Sequence, residues 1–161
     1  MANTQAMCTS FLGEILTATH NFGTAPLRAV TTPDVFKAAL YLTSATINAS
    51  TTAYSASNEV SGTGYTAGGV TITGSPAWNA PTATNTSTTA GTAFTTPTAS
   101  ITYTTVTLTT AFDSVLIYNS TQNNTAVSVH TFGSQTITAG TFTLTMPVNA
   151  TTTALIRLAT T

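Results

Sequence analysis

Apolar residues alternate with polar or small residues along most of this chain. The clearest run starts after a turn at Pro33, where Phe36, Ala38, Leu40 and Leu42 fall on one side of a period-two pattern. This alternation predicts a half-buried β-strand. The same pattern recurs, in chain order, in Val70/Ile72, Ile101/Tyr103, Val106/Leu108, Val115/Ile117, Val127/Val129, Phe142/Leu144/Met146 and Ala154/Ile156/Leu158. About eight strands are therefore expected.

Two interruptions of the pattern predict local features of the strands. Thr104 and Thr105 break the phase between two alternating runs, which predicts a β-bulge. The stretches 119–125 and 133–140 are rich in turn-forming residues and are long enough to close antiparallel hairpins. The last third of the chain is therefore expected to form a meander.

One helix is predicted, from about Thr9 to Thr19. Phe11, Leu12 and Ile15 share a face in this segment at helical spacing. No later helix is long enough for a β-α-β crossover. The fold class is therefore all-β: an antiparallel two-sheet sandwich, jelly-roll-like, with one short N-terminal helix, and a small barrel as the alternative.

The segment 74–100 loses the hydrophobic period and becomes rich in Thr, Ala, Pro and Ser. We interpret it as a loop or arm within a single domain that spans residues 1–161. Its large apolar residues are Trp78 and Phe94, which are candidate interface residues if the arm lies across a neighbouring subunit. The alternative is that both aromatic side chains fold back onto the chain's own core.

The composition of the chain is unusual because charged residues are almost absent. Charged residues make up 4% of the chain, against about 25% in an ordinary soluble domain. A nearly neutral surface favours association over a free monomer, although Thr-rich secreted domains are an alternative. The seven charged residues are Glu14, Arg28, Asp34, Lys37, Glu59, Asp113 and Arg157.

This charge inventory argues against several functions. Three basic residues are too few for nucleic-acid binding, because each phosphate contact uses one cation. His20, His130 and Cys8 lie at no metal-ligand spacing, so no metal or cofactor is expected. The chain has only four carboxylates and no nucleophile motif, so the sequence predicts no catalytic site. The chain is therefore not expected to be an enzyme. No run of apolar residues reaches the length of a membrane span, and the N-terminus lacks the charged start and long apolar run of a signal peptide, so neither a membrane span nor export by a leader is expected.

Gly62, Gly64 and Ala67 satisfy the pattern G-x-G-x-x-A of dinucleotide-binding sites. That motif works only where a helix follows and points its N-terminus at a pyrophosphate. Here Gly68, Gly69 and a strand pattern follow instead. The glycines are therefore expected to provide positive φ in a tight connection.

The string NEVSGTGYTAGG, from Asn58 to Gly69, resembles a family of small virion proteins of tailed bacteriophages. The match extends to the rest of 40–69, to MCTSFLGEILTATHNF, FKAALY, VLIYNST and AVSVHTFGS, and to ALIRLA near the end. These pieces cover roughly half of the chain. The structural motif residues are Asn58, Glu59, Gly62, Gly64, Tyr65, Gly68 and Gly69. The stretch 110–114 departs from the Arg-Gly-Ala run frequent in such proteins.

The resemblance implies a structural protein on the virion exterior, made in the host bacterial cytoplasm. The first hypothesis is a capsid decoration or cement protein that forms a homo-oligomer, with a trimer favoured, and binds the major capsid protein or tail proteins of the same virion. The alternative is a tail, fibre or head-spike component that contacts the host surface. A carbohydrate-active enzyme on a β scaffold is disfavoured by the shortage of carboxylates.

Overall fold

The computed structural model describes residues 3–16, 19–20, 22, 33–74, 76–86 and 89–159. The elements are, in order, β1 (Ala6–Met7), α1 (Thr9–Leu16), β2 (Phe36–Leu42), β3 (Val70–Thr71), β4 (Thr82–Thr86), β5 (Thr89–Thr95), β6 (Ile101–Asn119), β7 (Thr125–Leu144) and β8 (Ile156–Ala159). They form a five-stranded sheet of order β1-β7-β6-β2-β3 and a three-stranded sheet of order β4-β5-β8. All pairings are antiparallel. The predicted all-β two-sheet sandwich is confirmed.

The core lies on the five-stranded sheet, where β2 and β6 bury most of their side chains. Ala38 to Tyr41 of β2 and Val115 to Tyr118 of β6 are almost inaccessible. Ile156 of β8 and Trp78 belong to the same apolar cluster, so one core connects both sheets. Near-continuous burial explains why β2 and the Val115–Tyr118 part of β6 carry apolar runs with little polar interruption.

Helix α1 covers one end of the large sheet. Its Phe11 is fully buried, and Ile15 packs against the core cluster. The helix was predicted to Thr19, whereas the described helix ends at Leu16 and residues 17–18 lie outside the described part. The apolar face predicted from helical spacing is confirmed at Phe11 and Ile15.

β6 and β7 form one long hairpin, which corrects the prediction of a hairpin at 133–140. β7 passes through that stretch as a strand, and neither Gly133 nor Gly140 has positive φ. Abundant β-branched threonines keep the chain extended there, while β6 supplies the backbone partners. The turn at 119–125 does close the hairpin, and the bulge at Thr104–Thr105 is confirmed by a register shift and by positive φ at Thr105.

The segment 74–100 contains a hairpin, so the prediction of a loop or arm is wrong for 82–95. β4 and β5 pair with each other, and β5 also pairs with β8. The segment lacks hydrophobic alternation, yet threonine is frequent in it and favours strands through its branched Cβ. β8 then completes the second layer of the sandwich.

Candidate functional site

The connection Asn58–Gly69, which contains the predicted structural motif, lies along the side of β2 that faces away from β6 and that β3 pairs only in part. The Leu42 N–H donates to the Asn58 carbonyl at 3.0 Å, and the Val60 N–H donates to the Leu40 carbonyl at 3.0 Å. Further on, the Thr107 N–H of β6 donates to the Thr63 carbonyl at 2.9 Å. The connection therefore supplies backbone partners that β3, with two residues, leaves unpaired.

The glycines of this connection are required by space and by backbone angles. Gly64, Gly68 and Gly69 have φ values of 78°, 88° and 70°. A Cβ on Gly64 would overlap the Thr105 carbonyl oxygen, and one on Gly69 would overlap the Ala38 carbonyl oxygen. The predicted positive φ is confirmed at these three glycines. Gly62 does not have positive φ, but a Cβ there would overlap the Thr107 carbonyl oxygen.

The carboxylate of Glu59 lies at the centre of the connection and is only 9% exposed. Its Oε2 accepts a hydrogen bond from the Tyr54 hydroxyl at 2.6 Å. Its Oε1 accepts from the Tyr65 hydroxyl at 2.7 Å and from the Gly68 N–H at 2.8 Å. Among the described residues no cation forms a salt bridge with it. Three neutral donors therefore stabilise this buried charge in place of a counterion.

All five tyrosines of the chain surround Glu59. Tyr65 also accepts from the Leu40 N–H at 3.0 Å. The remaining three hydroxyls donate to backbone carbonyls: Tyr103 to Ala38 at 2.8 Å, Tyr118 to Gly68 at 2.8 Å, and Tyr41 to Ser55. Two ring pairs stack, namely Tyr54 with Tyr118 and Tyr65 with Tyr103. We call Glu59 and the five tyrosines the tyrosine cluster.

The environment keeps the phenols of the tyrosine cluster protonated. Burial, followed by the charge of Glu59, raises the pKa of Tyr118 to about 12. Burial raises the pKa of Tyr65, Tyr54 and Tyr103 further, and a hydrogen bond to Glu59 adds to the effect for Tyr65 and Tyr54. Every hydroxyl is a donor with a defined acceptor, and the arrangement offers neither an activated nucleophile nor an exposed base. The tyrosine cluster therefore has a structural role, because its hydrogen bonds fix the connection Asn58–Gly69 to the sheet.

A second polar network holds the N-terminal part against the β6–β7 turn. The side chain of His20 is fully buried, and its Nε2 lies 2.6 Å from Glu14 Oε2. Its Nδ1 lies 3.0 Å from Asn119 Nδ2, which also donates to Asp34 Oδ2 at 2.7 Å. At the other end of the sheet, Asn3 Nδ2 donates to Asp113 Oδ1 at 2.6 Å. All four carboxylates of the chain thus have partners inside the molecule.

Trp78 and Phe94, the candidate interface residues, are buried in the chain itself. Trp78 is 1% exposed and packs edge-on against Phe36, with ring centroids 5.3 Å apart. Phe94 of β5 is 8% exposed. The interpretation that these side chains anchor the chain to a neighbour is therefore wrong, and the alternative, that they fold back onto their own core, is confirmed. Phe94 lies on β5, whereas Trp78 precedes β4 and is held by an isolated bridge to Pro97.

A cavity of about 360 Å³ lies between the inner face of β6–β7 and the C-terminal segment. Its lining is neutral, and its only titratable side chain is half-buried His130, whose Nε2 lies 2.9 Å from Ser128 Oγ. Burial lowers the pKa of His130 to about 4. The apolar lining includes Phe132, Phe142 and Leu144. Sequence reasoning missed this cavity because it depends on the path of 145–155.

The described residues contain no group of three or more His, Cys, Asp or Glu side chains placed to hold a metal ion. Within that part of the chain, no helix combines the length and apolar character that crossing a bilayer requires. Comparison of the chain with protein-family models, with curated proteins and with solved structures finds no match.

Proposed function

We propose that this chain is a structural protein of a tailed-bacteriophage virion, and that it acts as a capsid decoration or cement protein. The observation that carries the proposal is that all four carboxylates of the chain are bonded inside the molecule. Glu59, Asp34, Asp113 and Glu14 all bond within the molecule, and among the described charged residues only Arg157 is exposed. The described part of the exterior is thus left as a nearly neutral surface of hydroxyl, amide and small apolar groups.

Such an exterior suits adhesion to other protein subunits. A neutral surface carries little self-repulsion, so it gives a free monomer little protection against association. The core of a protein interface is depleted in charge and is held by apolar burial and neutral hydrogen bonds. A protein that binds only the assembled shell stabilises that shell by mass action, without any catalytic step.

The resemblance of Asn58–Gly69 to small virion proteins supports the same proposal. The glycines and Glu59 of that block build the tyrosine cluster, which fixes a long connection to the sheet. A shell protein has to keep its shape while it bridges neighbours, and a connection fixed by buried hydrogen bonds meets that need. The block thus has a structural use that requires no ligand.

A tail, fibre or head-spike component is the second candidate, and the cavity beside β7 favours it. Half-exposed Phe132 and Phe142, next to neutral polar groups, resemble the lining of a small binding site. In this role the chain would contact the host surface. It would be present in far fewer copies than a cement protein.

The copy number of the chain in purified virions tests both candidates. Quantitative mass spectrometry against the major capsid protein should give a number comparable with the number of capsomers if the chain is a cement protein. A few dozen copies or fewer would favour the tail or spike role. Absence from particles purified from cells that express the chain would overturn the proposal.

A further inference from the structure

The outer edge of β7 has no strand partner along most of its length. Residues 52–53, Cys8 and β1 cover its start, and the last paired position is Val129. From Thr131 to Leu144 no described residue pairs with the side that faces away from β6. An exposed edge of this length presents a row of backbone donors and acceptors to any strand of suitable chemistry.

This edge also lacks the side chains that usually protect an edge. No charged residue occurs between Thr125 and Ile156, and β7 contains no proline. Lysine, proline and bulges are the common means of blocking edge-to-edge pairing. Register shifts with β6 make the strand irregular between Thr131 and Phe142, with positive φ at Ala139, whereas Phe142–Leu144 keep one register with Ile101–Tyr103.

The inner face of the same edge is apolar and incompletely covered. Phe132, Ile137, Phe142 and Leu144 pack against the core but remain partly exposed, and the cavity lies beside them. An added strand would pair with the edge and would place its own alternate side chains over this apolar row. Pairing with an edge next to an apolar pocket is a known mode of strand recognition.

We infer that the occupant of this edge is β7 of a second copy of the chain, paired antiparallel about a two-fold axis normal to the sheet. The incoming strand has to be uncharged, because a charge placed against this neutral lining would be desolvated without a counterion. β7 satisfies that condition and carries the apolar row on one face. A two-fold axis normal to the sheet keeps both inner faces on the same side, so the two sheets become one and the two cores join.

This inference shares with the proposed function only the requirement that copies associate, and it does not depend on a virion. Pairing of two β7 edges gives a dimer, whereas the trimer expected for a cement protein would need two different surfaces of the chain that bind each other. The two ideas can therefore fail separately: purified protein tests the dimer, and purified particles test the virion role.

The test is the mass of the purified full-length chain by sedimentation equilibrium over a wide concentration range. We expect a monomer–dimer equilibrium, and we expect the backbone amides of 131–144 to exchange hydrogen more slowly in the dimer than in diluted protein. The double variant Thr136→Lys/Thr138→Lys places four positive charges along the paired edges and should raise the dissociation constant by at least about tenfold.

Thr109→Lys is the matched control, because Thr109 is equally exposed but lies on β6, which β7 separates from the edge. Its dissociation constant should equal that of the wild type. A monomer at every concentration, a trimer, or a dimer that the edge lysines leave unchanged would each overturn the inference. Slow exchange at 131–144 in a monomer would also overturn it, because the chain would then cover its own edge.

Discussion

The two flanks of the five-stranded sheet differ in how their backbone edges are covered. Beside β2, the connection Asn58–Gly69 supplies hydrogen-bond partners and is fixed by Glu59 and five tyrosines. Beside β7, the edge from Thr131 to Leu144 has neither a covering segment among the described residues nor a single charged side chain. The first flank is completed within one chain, and the second has no strand partner among the described residues.

The difference shows how a chain with seven charged residues distributes them. A buried carboxylate is costly unless several donors satisfy it, so it specifies one geometry for everything that it contacts. A buried carboxylate with several hydrogen-bond donors suits a long connection that would otherwise have many conformations. It would be harmful at a docking edge, where a charge opposes the approach of a neutral strand.

The largest effect is expected from valine in the fixed connection. Gly64→Val forces a β-branched residue to φ 78° and against the Thr105 carbonyl oxygen, so it should lower the free energy of unfolding by more than about 3 kcal/mol. Gly68→Val, at φ 88° but with more room, should cost more than about 1 kcal/mol. Urea unfolding gives both values.

Gly133→Val is the matched control on the β7 flank. Gly133 does not have positive φ, and a Cβ there meets no atom within 4 Å. Its free energy of unfolding should stay within about 0.5 kcal/mol of the wild type. Equal urea midpoints for Gly64→Val, Gly68→Val and Gly133→Val would show that the connection does not constrain the fold as argued here.

The next effect concerns the charge of Glu59. Glu59→Gln replaces one acceptor oxygen by an NH₂ group that faces a donor, so it should cost about 2–3 kcal/mol. Glu14→Gln should cost about 1 kcal/mol or less, because the Glu14 side chain is 20% exposed and water can replace its lost bond. Thermal midpoints of the two variants compare them directly, and equal shifts would contradict the central role of Glu59.

Part of the Glu59 site could be predicted from the sequence. A carboxylate within a glycine-rich connection is well placed to accept backbone N–H bonds, and the Gly68 N–H does donate to Glu59. The tyrosines beyond this connection could not be predicted, because Tyr103 and Tyr118 reach it only through the pairing of β6 with β2. Long-range contacts of this kind leave no local pattern.

The prediction of strands from the sequence is limited in the same way. β2 was predicted because its large apolar residues alternate with small or polar ones, although both of its faces are buried from Ala38 to Tyr41, and β8 was predicted because burial of one face imposes alternation. β4, β5 and the middle of β7 consist largely of threonine and small residues, so alternation is weak and glycine suggested turns. Backbone pairing with a neighbouring strand determines their conformation, and that partner is not visible in their own sequence.

A smaller, pH-dependent effect is expected on the β7 flank, where His130 is the only titratable side chain from Thr125 to Ile156. Burial lowers the pKa of folded His130 to about 4, whereas an unfolded histidine titrates near 6.5. Between these values the unfolded chain binds more protons, so stability should fall as the pH falls from about 7 to 4, by about 1–3 kcal/mol for this residue. His130→Gln should remove that part of the slope.

All other ionisable groups are common to the two proteins, so the comparison uses the difference between them. Urea unfolding of the wild type and of His130→Gln at a series of pH values isolates the histidine contribution. Parallel curves for the two proteins would mean that His130 is as easily protonated in the folded chain as in the unfolded chain. The cavity would then be wetter than its lining indicates.

The smallest expected effect is that of salt on subunit association. A contact through the β7 edge would consist of backbone hydrogen bonds and apolar side chains, with no charged residue between Thr125 and Ile156. Raising the salt concentration from about 0.1 to 1 M shortens the Debye length from about 10 to 3 Å and weakens only interactions between charges. The dissociation constant measured by sedimentation should therefore change little, and salt-washed particles should retain the chain.

A protein bound through a basic patch would instead lose orders of magnitude in affinity over a smaller salt range. Release by 1 M NaCl would show that the few charges carry the contact, and the contrast between the two flanks would then have no bearing on assembly.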